Sequence, residues 1–177
     1  MFIYFIMNIS NFNNINDYFP IVSGAILTDL IVIFLMNVGA FRSKTLQKYY
    51  LDYGFSAVIA DTLIIVIGVI IARFLYSYFF SSYSLLNFVV LAVTIQLVHD
   101  ILFYYFFKSF PKGASRIMDT FKDYANENGS MILLADALMV VSTILLATAF
   151  SALSPNYNII IFIVSLYLVP YILHSVK

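Results

Sequence analysis

The stretch that decides the fold is FSAVIADTLIIVIGVIIARFLYS, residues 55–77, in which Asp61 and Arg73 are the charged positions. An α-helix rises about 1.5 Å per residue, so roughly 20 apolar residues cross the hydrocarbon core of a bilayer. The stretch therefore predicts a transmembrane helix. We predict an all-α, multi-pass transmembrane bundle of about five spans, because similar apolar blocks occur at about 21–41, 85–107, 130–150 and 157–173.

The composition indicates the same class of protein. Hydrophobic residues make up 63% of the 177 residues and charged residues only 10%, too few charges to cover a water-soluble surface. The formal net charge is zero, so no basic field favours a nucleic-acid partner. Cysteine is absent, which excludes disulfides, thiolate metal sites and thiol redox chemistry. We predict the lipid bilayer as the main partner and no cofactor.

The basic residues of the loops predict the orientation of the chain in the membrane. They follow the first and third spans, whereas the loops at 78–84 and 151–156 contain no Lys or Arg. Under the positive-inside rule the basic loops are cytoplasmic, which places the N-terminus outside and the C-terminus in the cytoplasm. Residues 1–20 then form an extracytoplasmic segment, and 21–177 form a single transmembrane domain. Arg73 is expected to snorkel to water from the outer end of the second span. The basic loop residues at the membrane surface are Arg42, Lys44, Lys48, Lys108, Lys112, Arg116 and Lys122.

An internal repeat relates the two basic loops and the spans that follow them. At one constant spacing, several residues of 45–72 meet identical residues of 120–147. The match predicts a duplicated two-span unit, about 21–77 and 85–150, with the span at 157–173 as an addition. The matched pairs include Thr45 with Thr120, Tyr49 with Tyr124, Gly54 with Gly129, Ala60 with Ala135, Asp61 with Asp136, and Leu63 with Leu138.

Both basic loops are predicted to contain a short amphipathic helix. In the second loop, Ile117, Phe121 and Tyr124 recur at helical spacing, and Arg116 and Lys122 lie on other faces. One interpretation is that these helices bind anionic lipid, a partner protein or a second copy of the chain. The other is that they seal the bundle and position the ends of the spans. The first loop offers a similar set: Leu46, Tyr49, Tyr50 and Tyr53.

Four spans contain acidic residues, which are the candidate functional groups. A charged side chain near the bilayer centre costs on the order of 3 kcal/mol on insertion scales, so these acids require partners or a function. The helical rise places them in the half of the bundle nearer the basic loops, where they can face one another. We predict a shared interior site, with the histidine at its edge. The set is Asp29, Asp61, His99, Asp100 and Asp136, supported by the polar residues Thr28, Thr62 and Gln96.

Three interpretations of this site stay open. The acids can be hydrogen-bonded connections between helices, as in a non-catalytic structural or scaffolding protein of a viral or organellar membrane. They can form a proton or cation path, as in a channel or transporter, with His99 exchanging protons. They can also bind a divalent ion in a metal-dependent enzyme that acts on lipid, although no familiar ligand motif is present. The channel or transporter is the function we predict.

Part of the chain resembles a group of membrane proteins. The resemblance covers about 97–147 and rests on the strings HDILFY at 99–104, PKG at 111–113, MDTFKDY at 118–124 and LAD at 134–136. These strings look like those of uncharacterised polytopic membrane proteins encoded by giant DNA viruses. The resemblance implies a host or virion membrane and supplies no activity.

Overall fold

The computed structural model describes residues 7–175, and the regular structure in that range is helical. Five of the helices are long and apolar enough to cross a bilayer, as the sequence predicts. Residues 1–6 of the predicted N-terminal segment and the last two residues of the predicted transmembrane domain lie outside the described part. After a 3₁₀ turn at Ile15–Asp17, the helices are α1 (Tyr18–Asn37), α2 (Lys44–Tyr53), α3 (Phe55–Phe79), α4 (Leu85–Ser109), α5 (Arg116–Asn128), α6 (Met131–Ser151) and α7 (Pro155–Leu173).

The predicted bounds agree closely with four of the long helices and differ for the first. The predicted span 21–41 is α1, which begins at Tyr18 and ends at Asn37. The helix can begin before Pro20 because a proline in the first turn lacks an N–H that would be unpaired there in any case. It ends where the Asn37 side chain donates to the Ile172 carbonyl at 3.0 Å, at the end of α7.

Four of the long helices form a ring. Helix α1 packs against α3 and α6, and α4 packs against the same two helices from the other side. Helix α7 packs on the outside, mainly against α1. The ring is tightest where α1 meets α6, because a Cβ atom on Gly24 would lie only 2.9 Å from the Thr143 carbonyl oxygen. Small residues at such crossings let helix backbones approach closely.

The segment before α1 folds onto the end of the ring at which α1 begins. Ile9 is fully buried in the same apolar cluster as residues of α1, α3, α4 and α6. Arg73 on α3 binds the same segment: its Nη2 donates to the Asn14 carbonyl at 2.9 Å, to Asp17 Oδ2 at 3.0 Å and to the Asn11 carbonyl. The expectation that Arg73 snorkels to water is therefore wrong: its side chain is 0% exposed, because an ion pair with Asp17 holds it inside.

The two short helices, α2 and α5, lie at the opposite end of the ring, which we call the loop-helix end. They contact each other, and they pack against α3 and α4 respectively. The Phe121 ring on α5 lies 5.1 Å from the ring of Phe103 and 5.6 Å from that of Tyr49. The apolar residues of α5 thus pack on the bundle and on α2.

Candidate functional site

The centre of the site is a tyrosine hydroxyl between two carboxyl groups. The Tyr50 hydroxyl oxygen lies 2.8 Å from Asp29 Oδ1 and 2.9 Å from Asp61 Oδ2, hydrogen-bond distances in both cases. Three helices meet here, since Tyr50 is on α2, Asp29 on α1 and Asp61 on α3. The structure therefore brings two of the predicted acids together, within two hydrogen-bond lengths of each other.

A second tyrosine completes this cluster. The Tyr49 hydroxyl donates to Asp61 Oδ1 at 3.1 Å, and the Tyr49 and Tyr50 rings pack at 5.3 Å. Each tyrosine is only 4% exposed, and Asp29 is 0% exposed. Burial raises the pKa of both tyrosine hydroxyls, and the charge of Asp61 raises it further. Both therefore remain neutral hydrogen-bond donors at ordinary pH.

A second polar cluster lies on α4. The Gln96 side-chain amide donates to Asp100 Oδ1 at 2.7 Å, and His99 Nδ1 lies 3.1 Å from the same oxygen. Gln96 is buried, whereas the His99 side chain is 36% exposed and stacks on Phe103 with ring centroids 5.7 Å apart. Together with Ile95, Val98 and other apolar residues, His99 lines a shallow groove on the outer surface of the bundle.

Asp136 on α6 interacts electrostatically with an acid of each cluster. Within the described residues its carboxyl group has no hydrogen-bond partner, but it lies close enough to Asp61 and Asp100 for the charges to interact. Tyr124 on α5 shares this environment: burial raises the pKa of its hydroxyl, and Asp136 and then Asp61 raise it further. One acid from each helix of the ring thus lies in a common layer near the loop-helix end. We call this set, Asp29, Asp61, Asp100 and Asp136, the acid layer.

The three polar residues predicted to support the site, Thr28, Thr62 and Gln96, differ in their hydrogen bonds. Gln96 binds an acid, as described. Thr28 donates instead to Ser142 Oγ at 3.0 Å and accepts from Thr143 at 3.3 Å, so it joins α1 to α6. The Thr62 hydroxyl is buried and has no hydrogen-bond partner among the described residues. Among the described residues, only Gln96 of the three forms a hydrogen bond with an acid of this layer.

The predicted basic residues lie around the loop-helix end. Arg116 pairs with Asp52 at 3.0 Å, and Lys48 pairs with the same carboxylate, so the Asp52 pKa is lowered by Lys48 first and Arg116 second. Lys108 donates to the Tyr104 hydroxyl at 3.1 Å, and Lys122 donates to the Phe110 carbonyl at 2.5 Å. The other three, Arg42, Lys44 and Lys112, are exposed.

A further carboxylate, which the sequence reasoning missed, holds α2 and α5 together. Glu127 near the end of α5 accepts from the Lys44 N–H at 2.7 Å, the Thr45 N–H at 2.8 Å and the Thr45 hydroxyl. It accepts from the Ser43 hydroxyl at 3.2 Å as well. The bonds from Thr45 lower the Glu127 pKa and keep the group ionised. An anion at a helix N-terminus is favourable because the first N–H groups lack partners within the helix.

Two tyrosines of α2, Tyr49 and Tyr50, bind acids of the bundle, whereas the sequence placed them only on the amphipathic helix of the first loop. A signal for one of them was present, because Tyr49 matches Tyr124 in the internal repeat and each precedes a matched aspartate. The counterpart of Tyr50 is Ala125, so the repeat gave no signal for the residue that bridges the two acids.

These features define a class of protein, a multi-pass helical bundle with five helices able to span a membrane and an acid layer near one end. No known protein family, curated protein or solved structure matches the chain. The resemblance to proteins of giant DNA viruses stays a prediction. Among residues 7–175, no group of three or more His, Asp or Glu side chains is placed to hold a metal ion. The metal-dependent interpretation therefore has no ligand set in this range.

Proposed function

We propose that this chain conducts or transports a small cation, either a proton or a metal cation, through the acid layer. The observation that carries the proposal is the acid layer itself: each helix of the ring contributes one carboxyl group at a similar depth. Carboxyl groups in spanning helices are costly and commonly mark ion or proton pathways. We expect an ion that crosses between these four helices to pass these carboxyl groups.

The internal duplication predicted from the sequence is consistent with this arrangement. Gly54 and Gly129 occupy matched positions, and both adopt a positive φ, 54° and 55°, that favours glycine. Each N–H donates to the carbonyl four residues earlier at 2.9 Å, and each glycine separates a short helix from a long one. The matched aspartates Asp61 and Asp136 follow at the same distance along α3 and α6. The two halves thus present their acids from equivalent positions.

The contacts between the two short helices are reciprocal as well. Glu127, near the end of α5, binds the start of α2 at Thr45. Asp52, near the end of α2, binds Arg116 at the start of α5. The Tyr53 hydroxyl lies 3.2 Å from Thr120 Oγ1, which is the counterpart of Thr45. If the predicted duplication holds, parallel repeats would be related by an axis along the membrane normal.

The proposal includes an orientation in which the loop-helix end faces the cytoplasm, because the basic loop residues lie there. The cysteine-free chain allows a direct test with two single-cysteine variants at exposed positions, Ser81→Cys and Ala114→Cys. A membrane-impermeant thiol reagent added outside intact cells should label position 81 and leave 114 unlabelled until the membrane is opened. Labelling of position 114 from outside would reverse the orientation.

The function is tested with purified protein in liposomes, with proton, Na⁺ and K⁺ flux measured separately. We expect Asp61→Asn and Asp136→Asn each to reduce flux to the level of protein-free liposomes, because asparagine keeps hydrogen bonding but carries no exchangeable charge. The matched control is Asp123→Asn, at an exposed position of α5, which should keep native flux. Thermal unfolding in detergent should change little in all three variants.

The alternative is a structural or scaffolding protein of a membrane, in which the same groups only hold helices together. One observation favours it: the bonds of Tyr49 and Tyr50 join α1, α2 and α3 at buried positions. In that case no cation flux is measured, Asp61→Asn is tolerated, and Asp61→Leu destabilises the bundle by leaving the tyrosine hydroxyls without acceptors. A partner protein or a second copy would then bind at α2 and α5.

A further inference from the structure

We propose that the ion held by this site is a proton, shared between Asp29 and Asp61 through the Tyr50 hydroxyl, and that Tyr50 relays it. The inference rests on the proposed function and names the ion that the function leaves open. It depends on the positions of hydrogen-bond donors and acceptors in one buried cluster.

The contacts of the Tyr50 hydroxyl require two protons. The Tyr50 hydroxyl has one proton, and carboxylate oxygens can only accept. The hydroxyl oxygen nevertheless lies at 2.8 Å and 2.9 Å from oxygens of two different carboxyl groups. If both groups were ionised, one of these contacts would place two oxygens against each other with no proton between them, in a buried site. A second proton, carried by one of the two carboxyl groups, makes both contacts hydrogen bonds.

The hydrogen-bond partners of the two carboxyl groups indicate that Asp29 carries this second proton. Asp61 accepts from Tyr49 at one oxygen and is bridged by Tyr50 at the other, as an ionised carboxylate requires. Asp29 Oδ2 is buried and has no partner among the described residues, which is far less costly for a neutral carboxyl group than for an anion. The proton therefore belongs on Asp29 Oδ1, from where it is donated to the Tyr50 oxygen.

The surrounding charges agree with a shared proton. The titratable groups that face the pair, from α2, α5 and α6, are Tyr49, Tyr50, Tyr124 and Asp136, and Asp100 on α4 faces Asp136 in turn. In the described part of the chain no Lys or Arg forms an ion pair with Asp29, Asp61 or Asp136, so no fixed cation neutralises them. A proton on Asp29 removes one of the two negative charges of the Asp29–Asp61 pair.

A metal cation fits this position poorly. Hard cations such as Ca²⁺ and Mg²⁺ gather about six or more oxygen ligands. Here the space between Asp29 and Asp61 is taken by a hydroxyl that is a donor, and residues 7–175 provide no group of three or more acidic or His side chains around one point. A proton requires only the three oxygens that already lie within hydrogen-bond distance of one another in sequence, Asp29 Oδ1, the Tyr50 hydroxyl and Asp61 Oδ2.

The transfer itself balances without any other reactant. The O–H bond of Asp29 breaks as its proton joins the Tyr50 oxygen, and the original Tyr50 O–H bond breaks as that proton joins Asp61 Oδ2. Tyr50 is neutral before and after, and one net proton has moved from α1 to α3. A phenylalanine at this position cannot carry out either half of the transfer.

The experiment compares Tyr50→Phe with Tyr53→Phe in the liposome assay. Tyr53 lies on the same helix, and its hydroxyl contacts Thr120 and no acid. We expect proton flux to be lost in Tyr50→Phe and kept in Tyr53→Phe. Na⁺ or K⁺ flux without proton flux would overturn the inference and leave the proposed function standing, whereas absence of all flux would overturn the proposed function.

A second measurement tests the shared proton without transport. Infrared spectra of the detergent-solubilised protein at neutral pH should contain a carbonyl band of a protonated carboxyl group that shifts in D₂O. The band should disappear in Asp29→Asn and persist in the control Asp123→Asn. A native spectrum without that band would overturn the inference whatever the flux assay shows.

Discussion

Replacing Asp17 with alanine is expected to destabilise the protein by about 3–5 kcal/mol, because it removes one partner of a buried ion pair. The Arg73 side chain is 0% exposed, and the Asp17 carboxylate at 3.0 Å is its acidic partner. Without it the guanidinium keeps two backbone carbonyls and the Tyr18 ring, 5.1 Å away, but no opposite charge. The measurement is denaturant or thermal unfolding in detergent.

The double variant Asp17→Asn with Arg73→Met provides the control for this prediction. Removing both charges together should cost much less than removing Asp17 alone, since no unpaired charge stays buried. If Asp17→Ala lowers the stability by less than about 1 kcal/mol, as an exposed ion pair would, the pair is not buried as described.

The second large effect is expected at the crossing of α1 and α6. Gly24→Val should destabilise the bundle by about 3 kcal/mol, the upper range for overpacking a tight core. Any Cβ atom at this position would meet the Thr143 carbonyl oxygen at 2.9 Å and the Ala147 nitrogen at 3.2 Å, both backbone atoms that cannot move without shifting α6. The same shift would stretch the hydroxyl bonds of Thr28. Unfolding in detergent measures the effect.

Gly68→Ala is the matched control, because Gly68 also lies inside a spanning helix. Its Cβ atom would lie 3.6 Å from Gln96 Oε1, an ordinary contact with a side chain. We expect unchanged or slightly higher stability, since alanine has the better helix propensity. Equal losses in the two variants would mean that the α1–α6 contact is not special.

The sequence predicted the long helices well because their signal is local. Helices α3, α4 and α6 are long apolar blocks with few charged residues, so composition alone places their ends within about two residues. The end of α1 was placed too late, since apolar residues continue to Phe41 although the helix stops at Asn37. There Gly39, at φ 78°, ends the helix: the Gly39 and Ala40 N–H groups donate to the Met36 and Leu35 carbonyls, and a glycine cap of this kind is not part of the hydrophobic pattern.

The same distinction explains what the sequence reveals of the site. The partners of Asp100 are its neighbours on one helix, Gln96 and His99, and both were among the predicted residues. The partners of Asp29 and Asp61 come from α2, whose docking depends on tertiary packing. The depth of an acid can be counted along a helix. The hydroxyl group that will form a hydrogen bond with that acid cannot be identified by counting along one helix.

The N-terminal segment packs on the bundle through Ile9 and through the Asp17–Arg73 ion pair, and this packing has a consequence for biogenesis. The surface that receives Ile9 includes Phe88 on α4 and Ala147 on α6, and Asp17 finds its partner on α3. During synthesis the first of these segments emerges long before the last, so the N-terminal segment has no complete binding surface until α6 has inserted. Insertion of individual helices precedes their packing in membranes. Docking of this segment is therefore a late step of assembly, and a protease that cleaves near Asn11 would distinguish nascent or misassembled chains from mature ones.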